Sequence, residues 1–313
     1  MRWFLLAGLI GLLAGSFIAL AADRYRPAFT GQQWLHAIIV RASRCSACAH
    51  WLRPKDLAPL YSCCWLCGRC CYCRGRLPCH LLLTEPAAGL LFSLIATVQP
   101  SPVPLAFSLF FSGALLLLSL IDYQHLLLPD AVTLPLLWLG LLYHLIFEHG
   151  GLAAAVIGAV SGWLALWLLN RGALAFCQQE GIGYGDMKLF AALGAWCGWQ
   201  ALPLIALIAA SIGLAAFAYQ LRREDAAGWQ RRQPFGPCLS VAGWAVFFWQ
   251  TQSGALLFFP DLRLQVVLDA HFLNQVQFGF QPVDMFLFIC QNFNHHIPAY
   301  VIIDFIGPGN RLA

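Results

Sequence analysis

The chain has 313 residues, of which 60% are hydrophobic and 10% are charged, and its mean hydropathy is +0.70. Soluble domains carry about 25% charged residues, so this composition excludes a water-soluble globular protein. The formal net charge is +4, but the basic residues form no helical stripe and no base-stacking aromatic pattern, which argues against nucleic-acid binding. The charge is better explained by topology and by contact with anionic lipid headgroups.

Apolar segments of about 20 residues recur along the chain, and each can cross a bilayer as a helix. The sequence therefore predicts an all-α polytopic membrane protein. We count about eight transmembrane helices: 3–22, 84–100, 103–121, 131–148, 152–170, 187–203, 204–220 and 238–259. Pro203 is the expected boundary inside 187–220. The first segment begins at Trp3 without a clear Ala-x-Ala ending, so we expect it to remain as a span.

The basic residues predict the orientation. Nine of the eighteen Lys and Arg lie between Arg24 and Arg76, and four more lie in the loop between the seventh and eighth segments. The positive-inside rule places both loops in the cytoplasm. With alternating crossings, the loops that follow the third and fifth segments are cytoplasmic as well. We therefore expect a multi-pass membrane protein with these loops in the cytoplasm.

Four regions follow from this pattern. Residues 1–26 form the first transmembrane helix, and 27–83 form a cytoplasmic cysteine-rich domain. Residues 84–260 form the main helical domain, in which Glu85 is expected at a helix start, where an acid complements the helix dipole. Residues 261–313 form a C-terminal tail without a clear hydrophobic period, and the sequence assigns it no role.

The cysteine-rich region holds nine of the thirteen cysteines. Cys45 and Cys48 form one C-x-x-C pair, and Cys70 and Cys73 form another after 21 intervening residues. Two such pairs can close a tetrahedral four-thiolate zinc site, whereas disulfides are disfavoured in the cytoplasm. Cys64 and Cys67 offer further C-x-x-C spacings, so the choice of ligands stays open. A redox C-x-x-C is the competing interpretation.

A glycine-rich loop joins two apolar segments at 181–188. Glycines at 181, 183 and 185 disfavour a helix and leave a bare backbone that an extended substrate can approach. Gly183, Gly185 and Lys188 are therefore predicted to form a substrate-binding loop. Asp186 lies where this loop meets the next helix. It is either an N-cap or a reactive acid at the membrane surface.

A second acid, Asp122, ends another apolar segment on the same predicted face. Asp130 follows Pro129 and has a structural explanation as a helix cap, so Asp122 is the better catalytic candidate. Two helices that each bring an Asp to one depth provide what an aspartyl protease needs. The segment 234–237, Pro-Phe-Gly-Pro, is interpreted as a rigid turn, and Cys177, Cys197 and Cys238 as small apolar fillers.

Several of these features together resemble the type IV prepilin peptidases. The matching segments, in chain order, are Gly15-Ser16-Phe17, the paired cysteines with Gly68-Arg69-Cys70, Leu83-Thr84-Glu85, Asp122 with Leu128-Pro129-Asp130, and Gly183-Tyr184-Gly185-Asp186-Met187-Lys188. Ala19 stands where the family usually has Asn. The segment 183–188 resembles the family's GxGDxK motif, and the resemblance covers roughly residues 10–250.

The resemblance implies a bifunctional enzyme of pilus and type II secretion systems. Such an enzyme cleaves the leader of a prepilin or pseudopilin at the cytoplasmic membrane face, with Asp122 and Asp186 as catalytic residues. It then methylates the new amino terminus from S-adenosylmethionine.

Paired carboxylates account for the chemistry. Two close acids do not both ionise easily, so one keeps a proton while the other acts as base towards water. Three alternatives remain from the residues alone: a transporter that uses membrane acids, a zinc-dependent or redox membrane protein whose chemistry resides in the cysteine loop, and a structural membrane component whose acids only cap helices.

Overall fold

The computed structural model describes residues 2–40, 48, 50, 72–73, 79–99, 101–147, 151–177, 182–223 and 233–252. Every element of regular structure in these ranges is helical, as predicted. In chain order the helices are α1 (Arg2–Asp23), α2 (Gly31–Val40), α3 (Cys79–Val98), α4 (Pro102–His125), α5 (Asp130–Phe147), α6 (Gly151–Cys177), α7 (Tyr184–Cys197), a 3₁₀ turn (Trp199–Ala201), α8 (Leu202–Arg223) and α9 (Gly236–Gln252).

The helices confirm a polytopic membrane protein. Within the described ranges, five helices are long and apolar enough to cross a bilayer, and Leu83–Val98 is a shorter apolar helix. Each of the eight predicted segments contains a helix, but α7 has only 14 residues and α9 has 17. A crossing needs about 17 to 25 residues. The number of eight crossings therefore stays a prediction.

The chain divides into two compact units. The larger comprises Met1–Trp167 and Ile182–Phe258, and it holds all the site residues discussed below. The smaller comprises Leu168–Gly181 and Phe259–Ala313, of which the structure describes residues 168–177, the last part of α6. The predicted tail, 261–313, lies outside the described residues.

Glycines hold α1 against α3. A Cβ on Gly11 would lie 2.6 Å from the Ala88 carbonyl oxygen, and one on Gly15 would lie 2.7 Å from the Glu85 Cα. Small residues let membrane helices approach to backbone contact, and Gly11 and Gly15 do so here. The interpretation of Glu85 as an acid at a helix start is wrong. Helix α3 begins at Cys79, and the dipole effect is confined to the first turn.

Helix α7 is the most enclosed element of the larger unit. Ten of its residues are buried, from Met187 to Cys197 with few interruptions. An α-helix that is apolar all round belongs inside a protein, so α5, α6 and α9 shield it. The predicted break at Pro203 is misplaced. The chain turns at Gly198, whose φ of 78° favours glycine, and Pro203 lies in the first turn of α8, where its missing N–H costs nothing.

Helix α2 folds back onto the end of α1. The Trp34 indole donates to the Ala21 carbonyl at 2.9 Å, and Arg24 donates to the carbonyls of Ala37 and Ile38 at 3.1 and 2.6 Å. These bonds satisfy carbonyls at the ends of α1 and α2 that have no partner inside their own helix. Burial, and secondarily the charge of Asp130, raises the pKa of Tyr25 above its usual value. The first part of region 27–83 is thus attached to the bundle.

Candidate active site

Asp122 lies in the last turn of α4 and is only 5% exposed. Its carboxylate Oδ2 accepts a hydrogen bond of 2.9 Å from the Gly236 N–H at the start of α9. Its backbone carbonyl accepts the Leu126 N–H, which closes the helix. Leu126 has a φ of 54°, a left-handed conformation that costs a non-glycine residue about 1 kcal/mol.

Asp186 is the third residue of α7, since the helix begins at Tyr184 and its N-cap is Gly183. The glycine-rich loop is shorter than predicted, since Tyr184 and Gly185 are helical and only Gly183 stays outside α7. Of the two alternatives for Asp186, the N-cap is wrong. The Asp186 carboxylate accepts a hydrogen bond from the Gly183 backbone, the position that an acid takes in a capping box. Its second oxygen, Oδ1, is buried and has no hydrogen-bond partner among the residues that the structure describes.

The two acids lie within electrostatic range of each other, although 63 intervening residues separate them in the chain. The charge of Asp122 acts on Asp186, and the Cys238 thiol lies within electrostatic range of both carboxylates. In each acid the backbone of another residue holds the carboxylate. Asp186 Oδ1 is left for a partner that can come and go, such as water or a substrate group.

Lys188 and Gly185, two members of the predicted substrate loop, have structural contacts. Lys188 Nζ donates to both carboxylate oxygens of Asp130, at 2.6 and 2.8 Å. A Cβ on Gly185 would lie 2.8 Å from the Leu128 Cβ, so this glycine lets α7 approach the loop before α5. Gly183 is exposed beside the Asp186 carboxylate. Of the three, Gly183 alone is exposed beside the acids.

Sequence reasoning missed Gly236, which it assigned only to a rigid turn. A signal was available. Alternating crossings place the loop before the last span on the same membrane face as Asp122 and Asp186, and a glycine between two prolines there leaves an exposed N–H. Cys238, interpreted as an apolar filler, is buried beside the acids.

The predicted zinc ligands are placed only in part. Cys48 and Cys73 are exposed, and Cys45 and Cys70 lie outside the described residues. The rings of His50 and Tyr72 are in contact, with centroids 3.9 Å apart, so the chain after the first C-x-x-C pair lies beside the second pair. Among the residues that the structure describes, no group of three metal-binding side chains occurs.

Comparison with known proteins agrees with this geometry. The type IV leader peptidase family matches residues 109–218, which include both acids, and the bacterial peptidase A24 N-terminal domain matches residues 9–99. The prepilin leader peptidase/N-methyltransferase of Pseudomonas putida is 38% identical over 261 residues, covering 78% of this chain and 90% of that protein. The chain belongs to the type IV leader peptidase family.

Other members of the type IV leader peptidase family match over similar lengths. The proteins of the same name from Aeromonas salmonicida strain A449 and from Pseudomonas aeruginosa are each 36% identical, over 79% and 78% of this chain and 91% and 89% of their own length. No solved structure matches the chain.

Proposed function

We propose that this chain cleaves the leader peptide of prepilins or type II secretion pseudopilins and methylates the new amino terminus, with Asp122 and Asp186 as the catalytic residues of the cleavage. Family membership supports the two activities. The observation that carries the assignment of residues is the pair of acids itself. The two carboxylates lie within electrostatic range of each other, and Asp186 Oδ1 is buried with no hydrogen-bond partner in the described part of the chain.

The pair can hydrolyse a peptide bond without a metal ion. Two neighbouring carboxylates share one proton, since the charge of one disfavours ionisation of the other. The ionised carboxylate takes a proton from water as the water oxygen attacks the scissile carbonyl carbon. The protonated carboxyl donates to the carbonyl oxygen. The C–N bond then breaks as the amine nitrogen takes the proton that the first carboxylate removed from water. A hydroxyl of the intermediate returns its proton to the second carboxylate, so that water is added across the bond and the pair again holds one proton.

The position of the acids suits a substrate with a membrane helix. Asp122 lies in the last turn of α4 and Asp186 in the first turn of α7, so the pair lies at helix ends, where water enters at a lower cost than in mid-membrane. A transporter would need its acids near the middle of its spans. We propose that the pair faces the cytoplasm at the bacterial inner membrane, with the prepilin leader beside Gly183.

The proposed catalytic dyad, Asp122 and Asp186, is tested by the variants Asp122→Asn and Asp186→Asn. We expect each variant to lose leader cleavage while it keeps its melting temperature in detergent, because an amide can neither share the proton nor activate water. Cleavage is measured by the mass of a synthetic prepilin segment that contains the basic leader, the scissile bond and the apolar helix.

Asp130→Asn is the matched control. Asp130 is an acid at the start of α5 whose carboxylate pairs with Lys188, so its loss leaves cleavage close to the parent rate. Full leader cleavage by either dyad variant would falsify the assignment.

We also propose that Cys45, Cys48, Cys70 and Cys73 bind a structural zinc ion in the cytoplasmic region. Thiolates in two C-x-x-C pairs are the ligands that tetrahedral Zn²⁺ prefers, and the His50–Tyr72 contact supports the approach of the two pairs. S-adenosylmethionine supplies the methyl group when it is bound. The N-terminal half would then serve methylation, and the carboxylate pair would serve cleavage.

Cys45→Ser with Cys70→Ser tests this division. We expect methylation and bound zinc to be lost, because each half of the site loses a thiolate, while leader cleavage persists. Zinc is measured by atomic absorption, and the two products by the mass of the pseudopilin amino terminus with and without S-adenosylmethionine. Ser46→Ala, within the first C-x-x-C pair, is the control. Loss of cleavage together with methylation in a folded variant would contradict the division.

A further inference from the structure

We propose that Gly236 is a positioning residue for Asp122, and that the first turn of α9 forms a third wall of the active site. This inference rests on the proposed catalytic role of Asp122. It adds a requirement for activity beyond the two aspartates. The last helix must place a backbone N–H, from a residue without a side chain, next to one oxygen of the Asp122 carboxylate.

The N–H of Gly236 is free to serve another residue because of its place in α9. The first N–H groups of an α-helix have no partner inside the helix. At the start of α9, the backbone hydrogen bond of the helical pattern runs from the Leu239 N–H to the carbonyl of Phe235, four residues earlier, at 3.1 Å. The Gly236 N–H instead donates to Asp122 Oδ2 at 2.9 Å. A carboxylate at a helix start is also stabilised by the helix dipole. Asp122 and α9 therefore fix each other.

Gly236 is required because no side chain fits there. A Cβ at this position would lie 2.8 Å from Asp122 Oδ2, 3.0 Å from its Cγ and 3.1 Å from its Cβ. Contacts below 3.0 Å force something to move, and here the movable group is the carboxylate. Even alanine would therefore displace the atoms that carry the chemistry. A displacement of about 1 Å can cost about 100-fold in rate.

Helix α9 is tied to both helices that carry the acids. The Trp244 indole donates to Ser112 Oγ on α4 at 2.9 Å, and the Gln250 amide donates to the Cys197 carbonyl at the end of α7 at 3.0 Å. Cys238, the third residue of α9, lies within electrostatic range of both carboxylates. The first turn of α9 thus has a fixed place relative to the dyad.

The experiment compares Gly236→Ala with Gly213→Ala in the full-length protein, using the synthetic prepilin segment. We expect Gly236→Ala to lower kcat about 100-fold with KM little changed. We also expect the acidic limb of its pH–rate profile to move to higher pH, since the carboxylate loses a donor that stabilises its charge. A Cβ on Gly213, in α8, would meet Phe235 and Cys238 at 3.8 to 3.9 Å, which is ordinary contact. That variant should keep the parent rate and profile.

A second measurement decides the question if Gly236→Ala folds poorly. Asp122→Ala removes the carboxylate that the new methyl group would strike. The fall in melting temperature caused by Gly236→Ala should therefore be smaller in the Asp122→Ala background than in the parent, as residues in contact are not additive. An equal fall in both backgrounds, or a folded Gly236→Ala protein with parent kcat and pH profile, overturns the proposal.

The dyad and the positioning role fail in different ways. If Asp122→Asn still cleaves, the dyad assignment is wrong, whatever Gly236→Ala does. If Asp122→Asn is inactive and Gly236→Ala keeps the parent kcat and profile, the dyad stands and the positioning role is wrong.

Discussion

The two ends of α7 treat their buried polar atoms in opposite ways. At the C-terminal end, His144 Nε2 lies 3.0 Å from the Trp196 carbonyl oxygen, and Gln250 Nε2 donates to the Cys197 carbonyl at 3.0 Å. These contacts join α5 and α9 to α7. At the N-terminal end, no described residue forms a hydrogen bond with the buried Oδ1 of Asp186.

This difference separates a structural contact from a chemical one. A buried polar atom without a partner costs about 1 to 3 kcal/mol, and folded proteins leave few of them. At the C-terminal end of α7, hydrogen bonds to neighbouring helices satisfy the backbone carbonyls. At the N-terminal end, Asp186 Oδ1 lies near a second acid, where water or the substrate can supply a hydrogen bond. Damage to the first end should unfold the protein, and damage to the second should stop the reaction.

Gly194→Ala should have the largest effect on stability. Gly194 and Gly158 bring the backbones of α7 and α6 into direct contact, and a Cβ on Gly194 would overlap the Gly158 carbonyl. Neither backbone can move aside without shifting a helix, so we expect a loss of about 3 kcal/mol or more. Thermal unfolding of the purified protein in detergent measures it, and activity should fall with the folded fraction.

Gly113→Ala is the control for this end of the comparison. A Cβ on Gly113 would meet Ile18 and Phe92 at 3.6 Å, which is ordinary contact. Alanine also favours a helix by up to about 1 kcal/mol over glycine, so this variant should match or exceed the parent melting temperature. If Gly194→Ala melts like Gly113→Ala, the close packing of α6 and α7 is not a source of stability.

The sequence predicted the helices better than the contacts between them. Apolar runs and their polar breaks locate each span, because a bilayer crossing sets both length and composition. The break inside 187–220 was misplaced because Pro203 is compatible with a helix start, whereas the deciding feature was the backbone conformation of Gly198. Glu85 is the seventh residue of α3 because the helix begins at Cys79. Hydrophobic periodicity does not show where the loop before this helix ends.

Topology alone predicts that the two acids lie near each other. The positive-inside rule and alternating crossings predict one membrane face for Asp122 and Asp186, and in the structure the two carboxylates lie within electrostatic range of each other. The partner of each carboxylate was not predictable. Gly236 contacts Asp122 across 113 intervening residues, and only tertiary packing decides which of several glycines on that face meets an acid.

Replacing Lys188, near the N-terminal end of α7, should have the smallest effect on stability. Its ion pair with Asp130 is solvent-exposed, with side chains 35% and 56% accessible, and exposed pairs contribute about 0 to 1 kcal/mol. We expect Lys188→Met and Asp130→Asn each to shift stability by less than about 1 kcal/mol. The double variant should lose less than the sum, since both changes remove the same pair. Thermal melting of the four proteins measures the cycle.

The same four proteins decide whether Lys188 also contacts the substrate. If Lys188 acts only through its ion pair, both single variants should cleave the prepilin segment with equal KM, within about a factor of two. A raised KM in Lys188→Met alone would instead establish the contact predicted from the sequence, because Asp130→Asn removes the pair and keeps the ammonium group. The exposed ammonium group of Lys188 would then bind the substrate in addition to the carboxylate of Asp186.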